Sequence, residues 1–260
     1  MKLTGKKIII TGGTMGIGQA VAGACVKEGA EVIVVSRHGP YRLNVSNHPA
    51  VKKFASLMSK KGVIDGLVNC AGVYGPIGKT GDVDLAELEK TLRINLLGTI
   101  YMCHYFLPLL KKNKGKIVNL AGGGAAGAFP HYSSYAVSKV GIVRFTENLA
   151  LEYKGVVDVN AIAPGFVNTR LHQETVKAGA KAGLDFLNKT KSEIERGGTN
   201  PELAAQLAVF LLSKQSDGIT GKFISAPWDD WRSDSFQKKL KSDADFCTLR
   251  RIDDKFFGKL

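Results

Sequence analysis

Apolar residues along the chain fall into runs of two kinds. Lys7–Thr11, Glu31–Ser36, Val63–Val68, Lys116–Leu120, Val156–Ala161 and Gly221–Ser225 are short and rich in β-branched residues, the pattern of strands buried on both faces. Longer segments between them carry apolar residues three and four apart. These predict helices through Ala20, Val21, Ala24 and Val26 up to a stop at Gly29, through Val51, Phe54, Ala55 and Met58, across Asp84–Asn113, through Tyr135, Val140, Val143 and Leu149–Leu151, and over Pro201–Ser213. Regular alternation of the two kinds predicts an α/β fold, a doubly wound parallel sheet in a three-layer αβα sandwich. This unit spans 1–226, and a charged tail with Trp228 and Trp231 follows over 227–260, packed on or extending from it.

Two stretches break the rhythm. Residues 37–44 contain His38-Gly39-Pro40 and are too few for a crossover helix, so the next strand is either missing or reached by a tight connection. Residues 166–198 are polar and lysine-rich, long enough for 168–198 to form a lid over a substrate.

The candidate chemistry sits where strands end. The first strand runs into Thr11-Gly-Gly-Thr-Met-Gly-Ile-Gly18 and then a helix, the context in which Gly12, Gly16 and Gly18 let the backbone approach a pyrophosphate. Thr14, Met15 and Ile17 complete the loop; a tight turn without a ligand is the alternative reading. The second strand closes on Ser36-Arg37. No acid lies between Glu31 and Asp65 to take a ribose 2′-hydroxyl, whereas Arg37, helped by Arg42, suits a 2′-phosphate. This favours NADP(H) over NAD(H). Tyr135 and Lys139 lie one helical turn apart, behind Ser133 and Ser134 as candidate N-caps. An ammonium beside a phenol favours the phenolate and makes the tyrosine a usable acid or base.

Composition adds bounds. The 260 residues are 44% hydrophobic and 23% charged, a globular balance. Cys25, Cys70, Cys103 and Cys247 form no CxxC pair, which argues against a disulfide framework or a metal site and for a reducing, cytoplasmic setting. No run approaches a membrane span, and Ile8–Ile10 is too short for a signal sequence. The net charge of +13 is spread over Lys52–Lys53, Lys60–Lys61, Lys111–Lys116 and Lys177–Arg196 without interleaved aromatics. It reads as a solvated surface or as steering of an anionic ligand, not as a nucleic-acid stripe.

Taken together, the glycine loop, Asn69-Cys-Ala-Gly72, Asn95 in Ile-Asn-Leu-Leu-Gly, Tyr135-x-x-x-Lys139 and Asn160-Ala-Ile-Ala-Pro-Gly165 resemble the short-chain dehydrogenase/reductase family, in its order and over roughly residues 5–226. The resemblance implies a seven-stranded Rossmann-type sheet and hydride transfer between a nicotinamide and a carbonyl or alcohol of a small-molecule substrate. By it Tyr135 is the catalytic acid or base, Lys139 lowers the tyrosine pKa and holds the nicotinamide ribose, and Asn95 holds a water in the proton relay. By it also Asn44 and Val45 flank the adenine, Asn69, Ala71 and Gly72 line the cofactor, and Pro164, Gly165, Val167 and Thr169 meet the carboxamide and phosphates. A homodimer through the Asn95 and Tyr135 helices is implied, with a homotetramer left open.

Three departures from the family pattern stand out. Gly122 occupies the place of the family's catalytic serine, the 37–44 connection is trimmed, and the last strand runs into Ala226-Pro-Trp-Asp-Asp-Trp231. The lid's Arg170, His172 and Lys177 suggest a polar, anionic or sugar-like substrate. The competing reading is a dinucleotide-binding regulatory or weakly catalytic homologue, motivated by Gly122; an epimerase or dehydratase fits the glycine spacing less well.

Overall fold

A computed structural model describes residues 1–251 of the chain. Seven parallel strands form one sheet in the order β3-β2-β1-β4-β5-β6-β7. They are β1 (Lys7–Thr11), β2 (Glu31–Ser36), β3 (Tyr41–Arg42), β4 (Gly66–Asn69), β5 (Lys116–Leu120), β6 (Asp158–Ala163) and β7 (Phe223–Ser225). The period-2 alternation of β1 builds both cores. Ile8 and Ile10 face a cluster completed by α1 (Gly16–Lys27) and α8 (Pro201–Leu212), while Ile9 faces α2 (His48–Ser59) and α4 (Gly98–Leu110). All three isoleucines are fully buried, each contributing about 1.5–3 kcal/mol by burial. The predicted αβα sandwich is the observed architecture.

Several boundaries move for local reasons. β4 begins at Gly66, not Val63, because Asp65 is an anchor: its carboxylate accepts from Lys7 N, Lys6 Nζ and Asn113 Nδ2. β6 begins at Asp158, since the amides of Val156 and Val157 both return to Tyr153 O and close the preceding helix. β7 begins at Phe223, after Gly221 turns with φ +74°. The connection 37–44 does hold a strand. β3 has only two residues, so the return path is about 7 Å, and four residues (37–40) cover it without a helix.

The long helix expected over 84–113 is divided. α3 (Leu85–Leu92) passes through one wide π turn, Arg93–Leu97, into α4, and a 3₁₀ turn at Lys111–Asn113 ends it. Such a turn re-aims the side chains around it, and Asn95 lies inside it. The tyrosine helix, α5 (Ser133–Glu152), starts one residue earlier than a serine cap would place it. Tyr132 is the N-cap and makes no side-chain cap; Ser133 Oγ shares a hydrogen bond with Thr80 Oγ1, and Ser134 is buried in the helix.

The segment after β7 returns to the sheet. Trp231 is buried against Phe210 and donates to Ala226 O, whereas Trp228 is exposed. After α9 (Asp234–Ser242), Phe223 N of β7 donates to Cys247 O at 2.7 Å. The buried Lys222 ammonium donates to the carbonyls of Asp243, Ala244 and Phe246 at 2.6, 3.2 and 2.9 Å. Leu249 is held by its N–H on Glu147 Oε1 and by Arg144 Nη2 on its carbonyl. The predicted residues 252–260 of the tail lie outside the described residues.

Candidate active site

The strand order reverses between β1 and β4, and loops from the carboxyl ends of both strands meet there. This is the crevice where open α/β sheets bind ligands. Thr11, the last residue of β1, fixes the meeting: its Oγ1 accepts from the amides of Cys70 and Ala71 at 3.1 and 3.2 Å. A Cβ on Gly12 (φ +69°) would stand 2.9 Å from Ala71 Cα, and one on Gly18 would strike Gly12 O. Only glycine allows the two loops and the first turn of α1 to close this tightly. Met15 caps α1 without a side-chain bond, the first turn carries no acid, and Thr14, Met15 and Gly16 are exposed while Ile17 is half-buried. The helix N-terminus therefore presents its N–H groups outward, which suits an anion. Thr169, from the loop after β6, reaches the same place: a Cβ on Gly16 would meet its methyl at 3.3 Å.

Ser36 Oγ accepts from His38 N, and Gly39 packs against Ser36 and Thr14, so the 37–40 connection lies alongside the glycine loop. Arg37 and Arg42 are exposed, with no carboxylate among the described residues paired to either. Pro164 and Gly165 follow β6; Gly165 (φ +82°) leaves room for Thr199 and Pro227, and Val167 is buried behind it.

Two residues expected at the cofactor have side chains engaged by other residues of the protein. Asn69 is buried and donates to Asn119 Oδ1 and Cys103 Sγ, inside the sheet. Asn44 closes an Asx turn, its Oδ1 accepting from both Ser46 N and Ser46 Oγ, so an adenine amine finds that oxygen taken. Its neighbour Val45 is buried against Gly98.

Asn95 is fully buried, with its amide locked to the backbone beyond β4. Oδ1 accepts from Val73 N, and Nδ2 donates to Val73 O and Ser138 Oγ, at 2.9, 2.9 and 3.0 Å. Both side-chain donors are thus used, and a relay water would have to meet an acceptor oxygen instead. Gly72 separates Asn95 from Lys139; its missing Cβ would lie 3.3 Å from Asn95 Oδ1 and 3.7 Å from Lys139 Nζ.

Lys139 Nζ donates to Leu120 O at 2.7 Å and sits 5.5 Å from the centroid of the Tyr135 ring. The two side chains are neighbours, as their spacing predicts. Burial, with Cys70 behind it, raises the Tyr135 phenol above its ordinary value, and burial lowers Lys139 to about 8. Burial thus keeps Tyr135 a neutral phenol, while Lys139 remains an ammonium below about pH 8.

Gly122 closes the other side. It is buried, at φ +152° and ψ 177°, and a Cβ there would stand 3.0 Å from Tyr135 Oη.

Aromatic residues wall the space before Tyr135. Tyr74 meets the Tyr135 ring edge-on at 4.8 Å, Phe129 lies at 6.1 Å, and Phe129, Tyr132 and Phe186 pack together behind. The sequence reading missed Thr11 and Tyr74; the first adjoins the glycine loop and the second lies two residues beyond Gly72. The lid is two helices, α6 (Arg170–Ala178) and α7 (Leu184–Glu195). Its cations are dispersed along α6. Arg170 pairs with Glu174, Lys177 is exposed, and His172 is buried against Phe166, where burial lowers it to about 4.

A parallel sheet with a glycine cradle at its switch point, and a Tyr–Lys pair across from it, defines a dinucleotide-dependent oxidoreductase site. The chain belongs to the short-chain dehydrogenase/reductase family: residues 12–226 match the family model described as enoyl-(acyl carrier protein) reductase. It is 30% identical to the 3-oxoacyl-(acyl-carrier-protein) reductase FabG of Thermotoga maritima, covering 86% of this chain and 97% of that one. It is also 30% identical to levodione reductase of Leifsonia aquatica, covering 86% and 93%. Among solved structures, the aldohexose dehydrogenase of Thermoplasma acidophilum superposes with a TM-score of 0.77 at 28% identity, covering 86% of this chain and 92% of that one. The protein is therefore an oxidoreductase enzyme.

Proposed function

We propose that the protein is an NADP(H)-dependent reductase of a polar, neutral, sugar-like carbonyl compound. The observation that carries this reading is the placement of Tyr135 and Lys139 opposite the uncapped α1 N-terminus, with the exposed Arg37 at the end of β2. The glycine cradle supports the cofactor, since side chains at Gly12 or Gly18 would fill it. When bound, the nicotinamide supplies or accepts a hydride. Gly12, Thr14, Met15, Gly16 and Ile17 would offer backbone N–H groups to its phosphates, and Arg37 would pair with the 2′-phosphate. Ser36, Ala71, Gly72, Val167 and Thr169 would line its remaining length, and Lys139 retains ammonium donors for the ribose.

Tyr135 holds the proton. Its raised pKa keeps it a neutral phenol near pH 7, the state that donates to a substrate oxygen as negative charge develops. The relatives act on different carbonyl or alcohol substrates by name, so the substrate class rests on the site itself: an aromatic wall suits a ring, and the pairing of Arg170 with Glu174 takes one lid cation from an anion. The aldohexose dehydrogenase similarity is compatible with that reading.

Exposed Val137 and Val140 on α5 and Leu85 on α3 support a homodimer through that face. Four free cysteines support a reducing cytoplasm; no helix among the described residues is long and apolar enough to cross a membrane. Fluorescence titration with NADPH and NADH, followed by NADPH oxidation against a panel of sugars and cyclic ketones, tests the reading. Failure to bind NADPH would overturn it.

A further inference from the structure

Near Tyr135, one buried nitrogen has no partner among the described residues, and one tyrosine hydroxyl is free beside it. Tyr74 is 4% exposed, and its hydroxyl makes no hydrogen bond to any described residue, although the neighbouring Tyr132 hydroxyl is satisfied by Thr175 Oγ1 at 2.8 Å. His172 is 9% exposed and its Nδ1 is unpartnered. The two rings are neighbours, 5.9 Å apart, and Tyr74 in turn meets Tyr135 at 4.8 Å. Leaving a buried donor or acceptor unmade is costly, so the His172 nitrogen, with a free hydroxyl on the neighbouring Tyr74 ring, calls for a ligand that completes it.

Their surroundings say what kind. Phe166 packs on the His172 ring at 3.7 Å, and Phe129 lies edge-on to Tyr74 at 6.5 Å. The Glu174 carboxylate lies near enough to act on Tyr74, which disfavours an anion, and the imidazole is neutral. A hydroxyl or second carbonyl, able to donate and accept, finds a phenol and an imidazole.

We propose that Tyr74 and His172 are specificity-determining residues that together hydrogen-bond a neutral oxygen of the substrate other than the reacting one. This rests on the reductase reading above and narrows its substrate to polyoxygenated carbonyl compounds. Gly122 agrees with such a role: with no serine beside Tyr135, orientation of the substrate must come from contacts elsewhere.

The test compares 1,2-cyclohexanediol with cyclohexanol, ring-sized probes differing by one hydroxyl, by ligand-observed NMR with NADP⁺ present. The wild-type protein should bind the diol roughly 3- to 10-fold more tightly, the range of one neutral hydrogen bond. Tyr74→Phe and His172→Phe should each bring the ratio toward one, and His172→Gln should restore part of it. Tyr74→Phe keeps the ring and its packing, which guards against a folding artefact, and thermal melts check each variant. No preference in the wild type, or a preference that survives both substitutions, would overturn the proposal. NADPH titration separates the two levels: a protein that binds NADPH but ignores the second hydroxyl loses only this inference, and one that binds no NADPH loses the reductase reading itself.

Discussion

The Cβ that Gly122 lacks would stand 3.0 Å from the Tyr135 hydroxyl, on a backbone held at φ +152°. An L-residue rarely adopts that conformation, and it would also crowd the proton donor. The missing serine is thus built into the backbone, and restoring it is not a simple gain of a donor. Gly122→Ser should cost about 1–3 kcal/mol of stability through strain. It should lower turnover rather than raise it. Thermal unfolding and NADPH oxidation by the same preparations check both halves; a faster and equally stable variant would show that the loop adapts.

Tyr135→Phe removes one hydroxyl and leaves the ring against Tyr74. NADPH affinity should change by less than about twofold while turnover falls by about 10²-fold or more, since proton transfer alone is lost. Full turnover in the Phe variant would assign the acid elsewhere, and a wild-type protein equally slow would favour the weakly catalytic alternative.

Arg37 is exposed at the end of β2 with no competing carboxylate. Arg37→Asp should reverse a preference for NADPH over NADH, by setting like charge against the 2′-phosphate and offering an acceptor to the 2′-hydroxyl. Titration with both cofactors reads the result. An unchanged ratio would place the 2′-phosphate contact on other residues.

Burial lowers Lys139 to about 8, against about 10.4 for a free lysine. Between these values the unfolded chain binds the additional proton. Stability of the cofactor-free protein should therefore rise as pH climbs through this window, and below about 8 the buried ammonium exerts its full destabilising effect. Lys139→Met should flatten that slope, with a gain on the order of a few kcal/mol at pH 7. Chemical denaturation of both proteins from pH 7 to about pH 10 would show it; parallel curves would mean that the Leu120 carbonyl already offsets burial.

Much of the fold was legible because a buried parallel sheet writes itself as β-branched runs, and Ile8–Ile10 alone feed both cores. The π turn was not, since one extra residue within Asp84–Asn113 barely disturbs apolar spacing. The site was legible where residue type and geometry coincide, as at Gly12, Gly18, Tyr135 and Lys139. Side-chain partners within the protein were not legible. Asn44 and Asn69 match in type, but Ser46 and Asn119 hold them. Among the lid cations, the pairing of Arg170 with Glu174 was not legible in the sequence. Tyr74 carried no signal, because a tyrosine two residues past a glycine loop is an ordinary core residue until its hydroxyl lacks a partner.

Lys222 and the residues it gathers have a practical bearing. An outer strand with free amides invites another chain to extend the sheet, a common route to sticking and precipitation. Here the polypeptide shields that border with its own downstream segment, knotted by one ammonium on three carbonyls. Lys222→Met should leave the knot untied and β7 open, giving a protein that aggregates at lower temperature and is clipped sooner by protease near residue 243. Light scattering during a thermal ramp and limited proteolysis would reveal it; unchanged behaviour would mean that Trp231 and Leu249 suffice. Expression designs that trim the chain before Asp243 therefore remove a solubility device, not a dispensable end.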